Sequence, residues 1–138
     1  MRLRMFTYET SVKLHDTDAA GLLFFAHQFT LAHDAYELFM ESIGESFDKI
    51  INHSDYLLAI AHAEADFKKP LFSGDRLIIN LTPQHLGNTS FTLIYDLRNT
   101  NGVSVGTVRT VHVCIDKQTR KKKPLPEDLR KALLGRHQ

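Results

Sequence analysis

The feature that most constrains this chain is a long apolar helix pattern that precedes several long strand patterns. From about Phe25 to Ile43 apolar residues recur at helical spacing, and Gly44 follows as a stop signal. A helix this apolar needs cover on most sides, which a strongly curved sheet wrapped around it supplies. The apolar positions are Phe29, Ala32, Tyr36, Phe39, Met40 and Ile43.

The strands of that sheet are marked by alternation and by turn signals. From Leu57 to Phe67 every odd position is apolar and most are alanine, which predicts a long strand with one small-residue face that the helix approaches closely. Gly87-Asn88 and the turn at 99–102 are hairpin signals between later strands. The other predicted elements are strands at 6–14, 76–86, 90–98 and 103–116, a short helix at 46–52 with Ser46 as its N-cap, and a terminal helix at 127–134.

This order of elements predicts an α+β fold, in which a curved antiparallel sheet wraps around one long apolar helix. The chain has 138 residues, of which 43% are hydrophobic, so we expect a single domain over 1–138. A sheet of one layer around one helix leaves strand edges exposed. We therefore expect self-association, with a homodimer as the minimum unit.

Charge and cysteine content exclude several classes of protein. A formal net charge of +1 gives no overall field that would attract nucleic acid or an anionic membrane. The single Cys114 excludes a disulfide framework and multi-cysteine zinc patterns, and it fits a reducing compartment, so a cytoplasmic location is expected. Polar, strand-like residues follow the basic start at 1–5, which predicts neither a signal peptide nor a membrane-spanning segment.

The segment between the first strand and the long helix is the candidate for chemistry. It consists of His15-Asp16-Thr17-Asp18-Ala19-Ala20-Gly21-Leu22-Leu23-Phe24-Phe25. Taken alone, an aspartate-rich segment with a glycine at such a place is more often a set of caps and turns than an active site.

The segment resembles the Asp-x-Asp-x-x-Gly signature of the 4-hydroxybenzoyl-CoA thioesterase family, whose members have the hotdog fold. The similarity continues through 63–75, with Pro70 and Asp75 in typical places, and into 113–129, where Pro124-Leu125-Pro126 matches a common family ending. Within the family, the segments at 16–27 and 33–37 are most similar to the cyanobacterial-type 1,4-dihydroxy-2-naphthoyl-CoA hydrolases of phylloquinone and menaquinone synthesis. The resemblance spans nearly the full chain.

The resemblance implies an acyl-CoA thioesterase that needs no metal or other cofactor and that assembles as a homodimer or a homotetramer. Asp18 matches the catalytic carboxylate of the family, with Asp16 as the second choice. Gly21 is the signature glycine, and the amides around Phe24 and Phe25 match the site that stabilises the oxyanion. Thioester hydrolysis needs a nucleophile or a base for water, so the carboxylate either attacks the carbonyl directly or activates a water molecule. The sequence leaves both routes open.

Other functions remain as alternatives. The rival substrates are 4-hydroxybenzoyl-CoA and short-chain acyl-CoA, and the rival class is a hotdog module that binds acyl groups without turnover. The His-Asp pairs at 15–16 and 33–34 suggest a metal-dependent phosphohydrolase, in which such pairs on helices bind the metal. The sequence does not predict the all-helical scaffold that such an enzyme needs. A Cys114 nucleophile with His112 on the same strand face is disfavoured, because a lone strand cysteine is usually a small buried side chain. The polar residues His62, Glu64 and Asp66 are better explained as a solvated face.

The basic residues that meet the coenzyme A phosphates are not fixed by the pattern. Family members often use basic residues in the hairpin between the third and fourth strands, but here that hairpin, 85–89, has no lysine or arginine. The candidates are therefore Lys68, Lys69 and the basic run Arg120–Lys123.

Overall fold

The computed structural model describes residues 5–135, so most of the basic start at 1–5 lies outside the described residues. Its strands and helices, in chain order, are β1 (Phe6–Ser11), α1 (His27–Ser42), α2 (Phe47–His53), β2 (Tyr56–Phe67), β3 (Arg76–Leu86), β4 (Ser90–Arg98), β5 (Ser104–Asp116) and α3 (Glu127–Leu133). The predicted elements are confirmed except at the first strand, which ends early and is followed by a 3-10 turn at Leu14–Asp16. Ser46 is the N-cap of α2, as predicted, and accepts a hydrogen bond from the amide of Lys49.

All five strands form one antiparallel sheet in the order β1-β3-β4-β5-β2. Strands β3, β4 and β5 make the predicted meander, and β1 and β2 are the two edges. Within residues 5–135, no helix is long and apolar enough to cross a membrane. The α+β class and the curved sheet around α1 are the arrangement that the sequence predicted.

Helix α1 is covered by the sheet on one face only. Its buried residues include Leu31, Ala35, Phe39 and Met40, which join a core with the inner faces of β3 and β4. The prediction that the helix needs cover on most sides was too strong, because the opposite face, with polar residues such as Glu37, is exposed. The helix packs against β1, β3 and β5, whereas an open seam remains between α1 and β2.

A β-bulge in β2 overturns the predicted alanine face. Ile60 pairs with His112 and His62 with Val111, so Ala61 is an extra residue that no partner opposes. Because side chains alternate along a strand, one extra residue reverses the parity of every position beyond it. The inner face therefore uses even positions before the bulge and odd positions after it. The inward positions are Tyr56, Leu58 and Ile60, followed by Ala63, Ala65 and Phe67.

A chain of polar side chains crosses the core behind α1. The Tyr95 Oη and the Thr110 Oγ1 are 3.1 Å apart, and the Thr110 Oγ1 is 2.7 Å from the Nε2 of His112. The imidazole of His112 is fully buried and stacks on Phe91 at a centroid distance of 4.9 Å. Burial lowers the pKa of His112 to about 3, and the nearby His33 adds to the effect. His112 is therefore a neutral core residue at physiological pH.

Acid should destabilise the protein through His112. Its pKa falls from 6.5 to about 3 on folding, so between these values the unfolded chain binds one more proton than the folded chain. The free energy of unfolding should then drop by up to about 1.4 kcal/mol per pH unit as the pH is lowered through this window. Urea unfolding of the wild type and of His112→Gln from pH 7 to pH 4 checks this. The stability difference between the two proteins should shrink with acid, and a constant difference would contradict the prediction.

Candidate active site

The signature segment folds into a tight hairpin ahead of α1. Thr17 and Leu23 pair as an antiparallel bridge, and the amide of Asp18 donates to the carbonyl of Leu22 at 2.8 Å. Gly21 donates to the Asp18 carbonyl at 3.0 Å and has a φ of 80°, a left-handed conformation that favours glycine. The turn needs a residue that adopts a left-handed conformation three positions after Asp18, and this explains the glycine of the Asp-x-x-Gly spacing.

The hairpin leaves half of the Asp18 carboxylate available. Its Oδ1 accepts hydrogen bonds from the amides of Ala20, at 2.8 Å, and Leu22, at 3.2 Å. Within residues 5–135, its Oδ2 has no hydrogen-bond partner, and the side chain is exposed. One oxygen fixes the orientation of the carboxylate, and the other is free to meet a ligand or a water molecule.

Asp16 lies only two residues away but is 3% exposed. Its Oδ2 accepts from the amide of Lys13 at 2.9 Å, and its Oδ1 is 3.3 Å from the Nδ1 of His27, the first residue of α1. Its backbone carbonyl accepts from the amide of Phe24 at 2.9 Å. Asp16 therefore joins the end of β1 to the beginning of α1, and its carboxylate faces protein rather than solvent.

Some of the backbone amides between the hairpin and α1 have a hydrogen-bond acceptor and others do not. Phe24 and Gly21 both donate to backbone carbonyls, at 2.9 Å and 3.0 Å. The amides of Phe25 and Ala26 have no acceptor in the described part of the chain. They stand at the N-terminus of a 16-residue helix, where unpaired amides and the helix dipole favour negative charge. Of the predicted oxyanion residues, Phe25 is the one whose amide is free.

Asp18 and Phe25 border the same cavity, of about 380 Å³, which we call the Asp18 cavity. Its opposite wall is the end of β2 and the segment after it, with Lys68 and Lys69 exposed at the rim. The basic run Arg120–Lys123 does not line it, and the Nζ of Lys123 instead lies 3.0 Å from the carboxylate of Asp55. The lining residues are Asp18, Leu22, Leu23, Phe25, Gln28, Phe67, Lys68, Lys69, Pro70 and Leu71.

Gln28 is a residue of this cavity that the sequence analysis missed. It is 1% exposed, and its Nε2 donates to the carbonyls of Asp66 in β2 and Thr107 in β5, both at 3.0 Å. Gly106 leaves room for it, because a Cβ there would lie 2.8 Å from the same nitrogen. A glutamine on the apolar side of a helix was the only sign of this role in the sequence.

The disfavoured alternatives gain no support from the structure. Among residues 5–135, no group of three or more His, Cys, Asp or Glu side chains is placed to hold a metal ion. Cys114 and His112 do share the inner face of β5, but burial raises the pKa of the Cys114 thiol, which opposes its activation. On the outer face Glu64 pairs with Arg109 at 3.1 Å, and His62 contacts Glu64 at 3.3 Å, as expected of a solvated face.

Comparison with known families agrees with the hairpin and the fold. Residues 12–133 match the model of the thioesterase-like superfamily. The chain belongs to this superfamily. The match contains the whole signature hairpin, α1, and β2 to β5.

Similar members of the superfamily are named as thioesterases. A 1,4-dihydroxy-2-naphthoyl-CoA hydrolase from Rippkaea orientalis is 40% identical over 124 residues, which cover 88% of this chain and 90% of the relative. The crystal structure of a 1,4-dihydroxy-2-naphthoyl-CoA thioesterase from Synechocystis has 37% identity and a TM-score of 0.89, covering 94% of this chain and 96% of its own. A gentisyl-coenzyme A thioesterase has 25% identity and a TM-score of 0.81, covering 93% and 98%.

Asp16 and Asp18, the two aspartates of the signature hairpin, should contribute differently to the free energy of unfolding. Asp16→Asn should lower the free energy of unfolding by about 2 kcal/mol, because a buried carboxylate with amide and imidazole partners is replaced. Asp18→Asn is the matched control, and it should cost under about 0.5 kcal/mol because the residue is exposed and asparagine keeps an oxygen for the two amides. Urea unfolding of both variants measures this. Equal losses would contradict the different roles of the two residues.

Proposed function

We propose that this protein is an acyl-CoA thioesterase that hydrolyses 1,4-dihydroxy-2-naphthoyl-CoA to 1,4-dihydroxy-2-naphthoate and coenzyme A, in phylloquinone or menaquinone synthesis. One observation carries the proposal: Asp18, whose Oδ2 is free, and Phe25, whose amide is free, line one cavity within the described residues. A carboxylate facing an anion-binding helix terminus is what hydrolysis of a thioester carbonyl requires. The named function of similar superfamily members supports the choice of acyl group.

In the proposed mechanism, the thioester oxygen accepts a hydrogen bond from the Phe25 amide, which stabilises the negative charge that develops on that oxygen. The carbonyl carbon then faces the Oδ2 of Asp18. If the carboxylate attacks directly, an acyl-aspartyl anhydride forms, the C–S bond breaks and coenzyme A leaves as its thiolate. Water then hydrolyses the anhydride. If Asp18 acts as a base, it takes a proton from water while the water oxygen attacks the carbonyl, and the C–S bond breaks in the following step. Both routes use the same geometry.

The carboxylate, the amide and water suffice for either route, so we propose a reaction without metal or cofactor. We place the coenzyme A phosphates near Lys68 and Lys69, because these exposed lysines stand at the rim of the Asp18 cavity. The run Arg120–Lys123 lies away from it. We also propose that 1–138 act as one domain in the cytoplasm.

Asp18→Asn should remove most hydrolysis. Loss of a general base typically costs about 10²- to 10⁴-fold in rate, and loss of a nucleophile costs more, so kcat should fall by about 10³-fold or more while KM changes little. The measurement is steady-state release of free thiol, beside a melting curve. Asp128→Asn, at an exposed position on α3, is the matched control and should keep full activity. A folded Asp18→Asn protein with near-normal kcat would refute the catalytic role of Asp18.

We further propose that the active unit is at least a homodimer, with a homotetramer as the larger form. β2 is an edge strand of 12 residues whose outer edge is unpaired within residues 5–135, and it exposes Ile60 and Phe67. Long unpaired edges with apolar side chains favour pairing with another chain, and a two-fold axis lets β2 pair with its own copy. A partner strand there would also close the open seam beside α1.

Dilution tests the dimer. Light scattering should give at least twice the mass of one chain at assay concentration, and specific activity should fall when dilution produces monomers. A monomer that keeps full specific activity would contradict the proposal.

A side-by-side substrate comparison tests the acyl group. Coenzyme A is common to all thioesters, so selectivity must come from burial of the acyl rings. A second ring should give a preference of about tenfold in kcat/KM, from roughly 1 to 2 kcal/mol of additional burial. The panel is the 1,4-dihydroxy-2-naphthoyl, 4-hydroxybenzoyl, gentisyl and short-chain aliphatic thioesters. Higher kcat/KM for a smaller thioester would assign that substrate instead, and tight binding without turnover of any thioester would favour the non-catalytic module.

A further inference from the structure

A second cavity, the central trough, follows the open seam between α1 and β2. It has a volume of about 370 Å³, and Thr30 of α1 faces Ile60 and Ala63 of β2 across it. Its floor contains Tyr95 and Thr110, the two hydroxyl residues of the polar core chain. The trough is therefore a mainly apolar slot whose lining includes the hydroxyl residues Tyr95 and Thr110, with the polar residues His33 and Asp34 on its α1 side.

The protonation state of His112 decides which atom donates in the hydrogen bond between its Nε2 and the hydroxyl of Thr110. The imidazole is neutral and carries one N–H, and burial holds its pKa near 3. The buried Nδ1 has no partner within residues 5–135. A buried N–H without an acceptor is costly, so the hydrogen belongs on Nε2, which has Thr110 at 2.7 Å.

The same bond leaves one hydroxyl hydrogen over at the floor of the trough. Nε2 donates to the hydroxyl of Thr110, which lies 3.1 Å from the hydroxyl of Tyr95, and either hydroxyl can donate in that second contact. The contact uses one of the two hydroxyl hydrogens, and the other has no acceptor in the described part of the chain. The pair thus keeps one hydrogen-bond donor, on Tyr95 or on Thr110, for an occupant of the trough.

We propose that Tyr95 donates this hydrogen bond to a ring hydroxyl of a bicyclic aromatic acyl group, and that Thr110, which accepts from His112, donates in turn to Tyr95. The inference rests on the proposed thioesterase function. Phe25 and Gln28 border the Asp18 cavity, and Phe29 and Thr30 border the trough, so the two cavities lie within about one helical turn of each other along the chain. A bicycle joined to a thioester at Asp18 extends along the seam, and its hydroxyl far from the thioester reaches the trough floor.

The test compares two thioesters that differ by one oxygen: 1,4-dihydroxy-2-naphthoyl-CoA and 1-hydroxy-2-naphthoyl-CoA. Tyr95→Phe should lower kcat/KM about tenfold for the first and leave the second unchanged, because only the first carries the distal hydroxyl. Thr110→Val, which removes the link beneath Tyr95, should show the same selective loss. Tyr8→Phe, on the opposite edge strand β1, is the matched control and should affect neither thioester.

The outcomes separate this inference from the proposed function. A selective loss in Tyr95→Phe supports the inference. Equal losses on both thioesters, or no loss on either, would overturn it while wild-type hydrolysis upholds the thioesterase. Wild-type protein that hydrolyses neither thioester would overturn the proposed substrate and this inference together.

Discussion

The buried amide of Gln28 fixes the beginning of α1 against β2 and β5, and the geometry of the site depends on that attachment. Its two hydrogen bonds to strand carbonyls hold the helix terminus at a set distance from the sheet, and Gly106 supplies the space for them. The free amide of Phe25 lies about one turn earlier along the chain, just before the first residue of the same helix. The width of the Asp18 cavity therefore follows from a contact on its inner wall, not from the residues that face a ligand.

Asp16 and Asp18 show how a short hairpin gives different properties to identical side chains. The carboxylate of Asp16 is buried, and both of its oxygens have hydrogen-bond partners, the amide of Lys13 and the imidazole of His27. The carboxylate of Asp18 is exposed, and within the described residues only its Oδ1 accepts hydrogen bonds. The carbonyl of Asp16 also occupies the amide of Phe24 and so leaves the next amide as the free donor. A buried aspartate thus organises the backbone around an exposed one.

Much of the fold could be predicted from local sequence, because helix periodicity and hairpin turns are local signals. The bulge at Ala61 could not, since the odd positions of β2 are apolar on both sides of it and only the pairing with β5 shows the extra residue. The signature located the Asp18 hairpin, but the choice between Phe24 and Phe25 needed the hydrogen bonds. The role of Gln28 depends on carbonyls far along the chain, and that of His112 depends on burial against Tyr36 and Phe91, which no spacing reveals.

The bulge in β2 also bears on how such a fold diversifies. If the strand paired without it, His62, Glu64 and Asp66 would face α1, and ionisable groups would replace the apolar side of the central trough. A shift of the pairing by one residue would therefore replace the apolar side chains on the β2 side of the trough with ionisable ones, without any substitution on α1. A one-residue insertion or deletion in this edge strand would thus change which side chains face a ligand without replacing any of them.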